Sequence, residues 1–199
     1  TSCKDTYSSD AATGLTSTEY TKLKQKMLKS VYENGGFWIG RYEAGIAENR
    51  TSKNIDLETA PAPLSTSKTG TEENPVYPYT YVTCSQAQTL ASKLSTGKSY
   101  TSSLMFGVQW DLVLKYLETK GTAQADLKTN STSWGNYYNN LWNITNENSK
   151  YYTNSQWTSG AYGAKGSSKD ILLSTGASDT FSKQGIYDFA GNVWEWTLE

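Results

Sequence analysis

The chain has 199 residues, 36% apolar and 19% charged, with 18 Lys and Arg against 19 Asp and Glu. That is one domain's worth of sequence, and a net charge of -1 lacks the cationic field needed to live on a phosphate backbone, so generic nucleic-acid binding is excluded. The absence of histidine removes Ser-His-Asp and Cys-His catalysis, His-containing zinc or iron sites and a histidine pH switch. Carboxylate, cysteine, lysine and tyrosine are left for any chemistry.

Residues 1–15 are polar and aperiodic and read as an arm. A helix is predicted from Thr16 or Ser17. Thr16 and Glu19 have capping-box spacing, Tyr20, Leu23, Met27, Leu28 and Val31 form one stripe, and Gly35-Gly36 supplies the stop. Arm and helix make up residues 1–35, and one domain is expected over 36–199. The segment FWIGRYEAG alternates as a strand, with Arg41 and Glu43 on one face as a structural ion pair or a ligand-facing pair. Residues 47–79 hold all four prolines and no sustained period, which predicts a long loop.

A second helix is expected over Thr83–Leu94, capped by Thr83 and Gln86, with Ala87, Leu90, Ala91 and Leu94 as its apolar face. A third is expected from about Ser103 to Leu117, burying Val108, Leu112, Leu114, Tyr116 and Leu117 before Gly121. Helices with several short strands predict an α+β fold. From Gly121 to Ser168 the chain is dense in Asn, Tyr, Trp, Ser and Gly. It reads either as an irregular loop packed by its own rings or as a surface facing a sugar or a protein. Its ligand-binding candidates are Trp134, Tyr137, Tyr138, Trp142, Tyr151, Tyr152, Trp157 and Tyr162, several of which must be core. Asn130-Ser131-Thr132 and Asn143-Ile144-Thr145 match the glycosylation acceptor pattern, a common match in a chain so rich in Asn and Thr.

Cys3 and Cys84 are too few and too far apart for a disulfide scaffold, and no C-x-x-C is present; an oxidising compartment would still permit one bond between them. No apolar run is long enough to span a bilayer, and residues 1–30 lack a signal-peptide core, so no membrane insertion is expected. The chain begins with Thr, which suggests an expressed domain or processed product and leaves the compartment open.

The most specific stretch is GIYDFAGNVWEWTLE. Asp188, Gly191 and Glu195 frame a turn leading into an aromatic strand, and Asn192 is suited to hold that turn with its own amide. Residues 185–196 closely resemble the G-L-Y-D-M-A-G-N-V-W-E-W signature of the formylglycine-generating enzyme, or sulfatase-modifying factor, domain family. TCSQAQTLASKL and SLMFGVQWDLVLKYL resemble two further conserved helices of that family, with Trp110 and Asp111 in the expected places. Ser103-Leu104-Met105 departs from the usual arginine-leucine-proline lead and marks a divergent branch. The resemblance covers residues 36–199.

The resemblance implies a C-type-lectin-like fold of two to three helices, a small twisted antiparallel sheet and long irregular loops. It implies calcium held by the side chain of Asp188, the carbonyls of Gly191 and Val193 and the carboxylate of Glu195, oxygen donors that suit a hard cation. Left open is the alternative that the Asp188 and Glu195 carboxylates accept backbone hydrogen bonds and pin the turn without metal.

The family's oxygen-dependent reaction resembles chemistry run by two copper-binding cysteines beyond the W-E-W strand, and the sequence stops at Glu199. Cys3 and Cys84 match neither position, and the iron-dependent members need histidines. No catalytic residue, copper or zinc is therefore expected in this chain. The sheet is expected to be incomplete at its C-terminus, finished by a missing segment or a second polypeptide.

What the resemblance implies is a non-catalytic ligand-recognition or scaffold domain of a bacterial or phage surface protein, among relatives that include retroelement-diversified proteins. It would be extracellular, on a cell surface or on a virion, and would bind protein or glycan. The alternatives are a fragment or N-terminal chain of a formylglycine-generating-type oxidoreductase, and a purely structural calcium-stabilised domain.

Overall fold

A computed structural model describes residues 13–64, 76–95, 99–128, 130–140, 143–160, 162 and 171–199. Helix α1, Ser17–Asn34, is capped reciprocally by Thr16 and Glu19 and closes at Gly35, whose φ of 75° is left-handed. Only Tyr20 of its stripe is fully buried, with Leu23 and Met27 packed beside it; Leu28 is exposed. The FWIGRYEAG segment is not a strand along its length. Only Gly45–Ile46, β1, pairs, antiparallel with Tyr77–Pro78, β2. Phe37 and Ile39 instead pack on the core, Trp38 stands in solvent, and the expected Arg41–Glu43 ion pair is absent because Glu43 is buried while Arg41 is exposed.

Helix α2, Cys84–Ser92, has the expected Thr83–Gln86 capping box. Helix α3, Gly107–Thr119, starts four residues later than expected, where the Gln109 side chain accepts from the Phe106 N–H at 2.9 Å. Its buried face is Gln109, Val113 and Leu117, while Leu112 and Tyr116, expected inside, are exposed. A short helix α4, Gln124–Lys128, follows.

The aromatic stretch after it is more regular than a loop. Lys150–Thr153, β3, and Gln156–Ser159, β4, form a hairpin whose turn residues Asn154 and Ser155 both have positive φ, as a type I′ turn needs. Leu172–Leu173, β5, pairs with the other edge of β3, giving the order β4-β3-β5. The two small sheets are joined where the Thr175 N–H donates to the Val76 carbonyl at 2.9 Å. The described residues are thus α+β, with four helices and two small antiparallel sheets.

The main apolar cluster places Val113 and Leu117 of α3 against Trp134, Phe189 and Ala190. Trp134 is 1% exposed and its Nε1 donates to the Phe181 carbonyl at 2.9 Å; truncating a tryptophan so placed costs about 3–5 kcal/mol. A second cluster under β5 contains Ile171, Leu173, Ala177 and Phe181. A third joins Tyr20 of α1 to Phe106 and Leu198, tying the last residues to the first helix.

The C-terminal signature folds as consecutive tight turns. Gln184 and Gly185, then Asp188, then Gly191 and Asn192, all have positive φ, conformations that Gly, Asn and Asp tolerate best. Gly191 is obligatory on a second count: a Cβ there would lie 2.6 Å from the Asn136 carbonyl oxygen, against which the turn packs through a parallel bridge. Asn192 then lies alongside β5, its Oδ1 accepting from the Leu173 N–H at 2.9 Å and its Nδ2 donating to the Leu173 carbonyl at 3.2 Å. The same amide donates to Glu43 at 2.6 Å and accepts from Asn136 at 2.8 Å. Residues 194–199 run outside any sheet, so the expected W-E-W strand is replaced by an irregular extended segment anchored by Leu198.

Replacing Asn192 with Gly relieves the backbone conformation while deleting all four side-chain hydrogen bonds. Urea denaturation is expected to show a loss of about 3 kcal/mol or more, since partners on β5 and Glu43 are left buried and unpaired; a loss below about 1 kcal/mol would show that this amide does not hold the turn.

Candidate functional site

The turns between Gly185 and Glu195 bring Asp188 and Glu195 into one region with Glu43, which comes from far back in the chain. Asp188 is 1% exposed; its Oδ2 accepts from the Gly176 N–H at 2.6 Å and its Oδ1 has no partner. Glu43, delivered by the segment before β1, is 7% exposed; its Oε1 accepts from Asn192 and its Oε2 has no partner. Among the described residues no cation pairs with either.

Burial, together with the neighbouring Asp188 and Glu195 charges, holds the Glu43 carboxyl well above its usual range, against the pull of the Asn192 hydrogen bond. Burial also pushes Asp188 up, to about 6, opposed by the Gly176 N–H. Glu195 is placed differently. The residue as a whole is exposed, yet its carboxyl is crowded by protein on the inner side, and burial with the Asp188 charge pushes it up to about 8. Water on its outer side limits that rise.

Beside the carboxyls lies a crevice of roughly 260 Å³. One part of its lining is Ala87, Leu90 and Ala91 of α2 with Leu94 in the turn just after it, the face expected to be apolar. Val193, Trp194, Glu195 and Trp196 also line it. Trp110, stacked on Phe189 at 4.0 Å, and the Tyr42–Tyr187 pair at 4.9 Å complete it, with Glu43 on its lining. Trp196 is fixed by a 3.1 Å hydrogen bond from its Nε1 to the Val82 carbonyl, whereas Trp194 is fully exposed at the rim. Sequence reasoning offered Glu43 only as the partner of Arg41 in an ion pair or a ligand-facing pair, and missed Tyr42 and Tyr187; the signal available was a lone acid in the run FWIGRYEAG, whose only other charge is Arg41.

Of the four expected metal ligands, Asp188 and Glu195 are brought close enough to repel one another. The Gly191 carbonyl accepts the Val193 N–H at 3.0 Å and keeps a second lone pair. Among the described residues no three acidic, cysteine or histidine side chains are grouped as a metal centre, so a cation here would depend on backbone carbonyls. The unpartnered, fully buried Oδ1 of Asp188 is the kind of oxygen donor that fits a hard cation.

The aromatic candidates divide. Trp134 is core, which corrects its assignment as a ligand contact: its ring fills the space under α3 and its N–H is used. Tyr137 packs on the same cluster, and Tyr151 and Tyr162, rings 4.8 Å apart, pack on the cluster under β5. Tyr152 and Trp157 pair across the hairpin at 5.4 Å, with Tyr77 against Trp157 at 4.7 Å, and Tyr138 is exposed. Trp142 lies outside the described residues. Cys84 is a buried free thiol that donates to the Thr197 carbonyl and is pushed up by burial; Cys3 lies outside the described residues. A single buried thiol of this kind does not fit a copper site of paired, accessible thiolates. No helix of the described residues is long and apolar enough to cross a membrane.

Comparison with curated proteins and with solved structures gives no match. Comparison with protein families matches residues 11–199 to the sulfatase-modifying factor enzyme 1-like domain. That span takes in α1, the crevice helices and the entire turn that gathers Asp188, Asn192 and Glu195, so the chain belongs to the sulfatase-modifying factor domain family.

Proposed function

We propose that this is a non-catalytic recognition domain of the family, built on a C-type-lectin-like arrangement and belonging to a bacterial or phage surface protein that binds protein or glycan. The observation that carries the reading is the content of the crevice. Among the described residues its lining is two carboxyl groups, Glu43 and Glu195, set among aromatic rings. Such walls bind by contact area, stacking and charge. Family membership taken alone favours the alternative, a portion of a formylglycine-generating-type oxidoreductase, over recognition, and a purely structural calcium-stabilised domain of a surface or virion assembly is the third reading.

Calcium is proposed at the side chain of Asp188, the carbonyls of Gly191 and Val193 and the carboxylate of Glu195. The bare Asp188 Oδ1 is the support: Oδ2 already pins the Gly176 turn, which leaves one oxygen with neither proton donor nor cation. A bound divalent cation would neutralise the crowded carboxylates and stiffen the turn.

Two outcomes are expected. A peptide bearing a free cysteine, incubated with the domain, copper and oxygen, should lose no thiol. A protein or glycan ligand found on arrays should lose affinity when either the crevice variant Trp194→Ala or the hairpin variant Tyr152→Ala with Trp157→Ala is tested. Thiol consumption above the protein-free control would favour the oxidoreductase reading.

A third outcome concerns pH. Groups raised in the folded chain hold protons that the unfolded chain, with carboxyls titrating near about 4, has already released. The contribution of these two groups to metal-free stability is therefore greatest at or below about pH 4 and is lost as pH rises through the Asp188 value of about 6 and the Glu195 value of about 8. Calcium binds the deprotonated form, so thermal melts should show it raising Tm by roughly 2–4 °C or more at pH 8 and hardly at all at pH 5. A melt at pH 8 that is identical with calcium and with chelator would rule the cation out.

A further inference from the structure

We propose that residues 194–199 form a strap latched by α1, so that the docking of α1 and the formation of the crevice are one event. The inference goes beyond the recognition reading and holds whatever the crevice takes.

The strap joins no strand, and from its middle onward each residue is held by a different part of the chain. The Trp196 Nε1 donates to the Val82 carbonyl at 3.1 Å, just ahead of α2. The Thr197 carbonyl accepts from the Sγ of Cys84, the first residue of α2, at 3.7 Å. The Leu198 N–H donates to the Met105 carbonyl at 2.9 Å, just ahead of α3, and its side chain is 3% exposed, packed with Tyr20 of α1 and with Phe106.

Glu199 closes the latch. Its Oε1 accepts from the Tyr20 hydroxyl at 2.8 Å and from the Lys24 ammonium at 2.7 Å, in an ion pair whose two side chains are only 18% and 21% exposed. Its Oε2 rests against the start of α3: a Cβ on Gly107 would lie 3.1 Å from that oxygen, and the Val108 N–H donates to the same carboxylate. Phe106 has no polar side chain to cap α3, so a carboxylate from residue 199 satisfies a first-turn N–H that the local sequence leaves open.

These contacts make α1 and the strap depend on one another. Tyr20 is the one fully buried residue of α1, and it is buried on Leu198 and bonded to Glu199. Undocking α1 removes the cover from Leu198 and both side-chain donors from Glu199 Oε1; lifting the strap strips Tyr20 and Lys24 of the same partner in a partly buried place. Leaving such groups unpaired is costly, so the two elements open together. The crevice opens with them, because Trp194, Glu195 and Trp196 on its lining belong to the strap.

Cys84 reports the opening. Its thiol is 4% exposed and lies against the Thr197 carbonyl, out of reach of a reagent until the strap lifts. The domain has two cysteines, so in a Cys3→Ser background Cys84 is the single thiol to follow by iodoacetamide labelling. Hydrogen exchange measured by NMR on the same protein gives the opening of the α1 amides, of the Trp196 indole N–H and of the β3 amides.

Cys84 labelling, Trp196 indole exchange and α1 exchange should report one opening constant, larger than that of β3. Glu199→Gln keeps an oxygen at the latch and removes its charge; it should raise all three by about tenfold and leave β3 unchanged. Trp196→Phe, which deletes only the bond to Val82, should speed α1 exchange as well, because coupling between two sites acts in both directions.

The comparison within the Cys3→Ser protein needs no latch variant to fold. Labelling of Cys84 that keeps pace with β3 would overturn the proposal, since the strap would then lift only when the whole domain unfolds. Exchange of α1 in Glu199→Gln that rises without Cys84 and Trp196, or a Trp196→Phe effect confined to the strap, would overturn it too, by showing that the two elements move independently.

Discussion

One primary amide holds the functional end of this domain together. Asn192 sits in a left-handed conformation that lets its side chain lie along Leu173 and exchange two hydrogen bonds with it, as a neighbouring peptide group would. An edge strand that would otherwise present bare N–H and C=O groups is thereby satisfied at that residue without another strand. The remaining donor and acceptor capacity of the same amide reaches Glu43 and Asn136. The N-terminal loop, the aromatic middle segment, β5 and the C-terminal turn thus meet at one residue. No aliphatic residue could do this, because the contacts are directional and the positive φ strains a β-branched side chain.

The electrostatics of the region follow from that arrangement. Placing Glu43 on Asn192 puts it within reach of Asp188 and Glu195, and among the described residues no basic side chain pairs with any of the three. Crowded carboxyls in a poorly hydrated place are unfavourable for folding, and domains usually avoid them. Here they are concentrated, with two oxygens lacking any partner, while elsewhere Asp126 has two serine donors and Glu199 meets Tyr20 and Lys24.

The aromatic residues show how the same composition serves two ends. Trp134 and Phe189 build the core under α3, Tyr151 and Tyr162 cover the second cluster, and Trp194 and Trp38 are left in solvent. In strand β3 the alternation of side chains sends Tyr151 and Tyr152 to opposite faces, so adjacent tyrosines have unlike environments.

Local chemistry determined much of what the sequence shows. The capping boxes at Thr16 and Thr83, the glycine stop at Gly35 and the turn-forming run from Gly185 to Asn192 each depend on residues within a few positions of one another. Those features are legible in the order of the residues alone, as is the family signature they spell. Only the tertiary structure decided that FWIGRYEAG packs instead of pairing, that Trp134 is interior, and that Glu43 joins Asp188 and Glu195. These outcomes rest on contacts between positions about as far apart as 43 and 192, and no local pattern encodes which of many buried faces will meet.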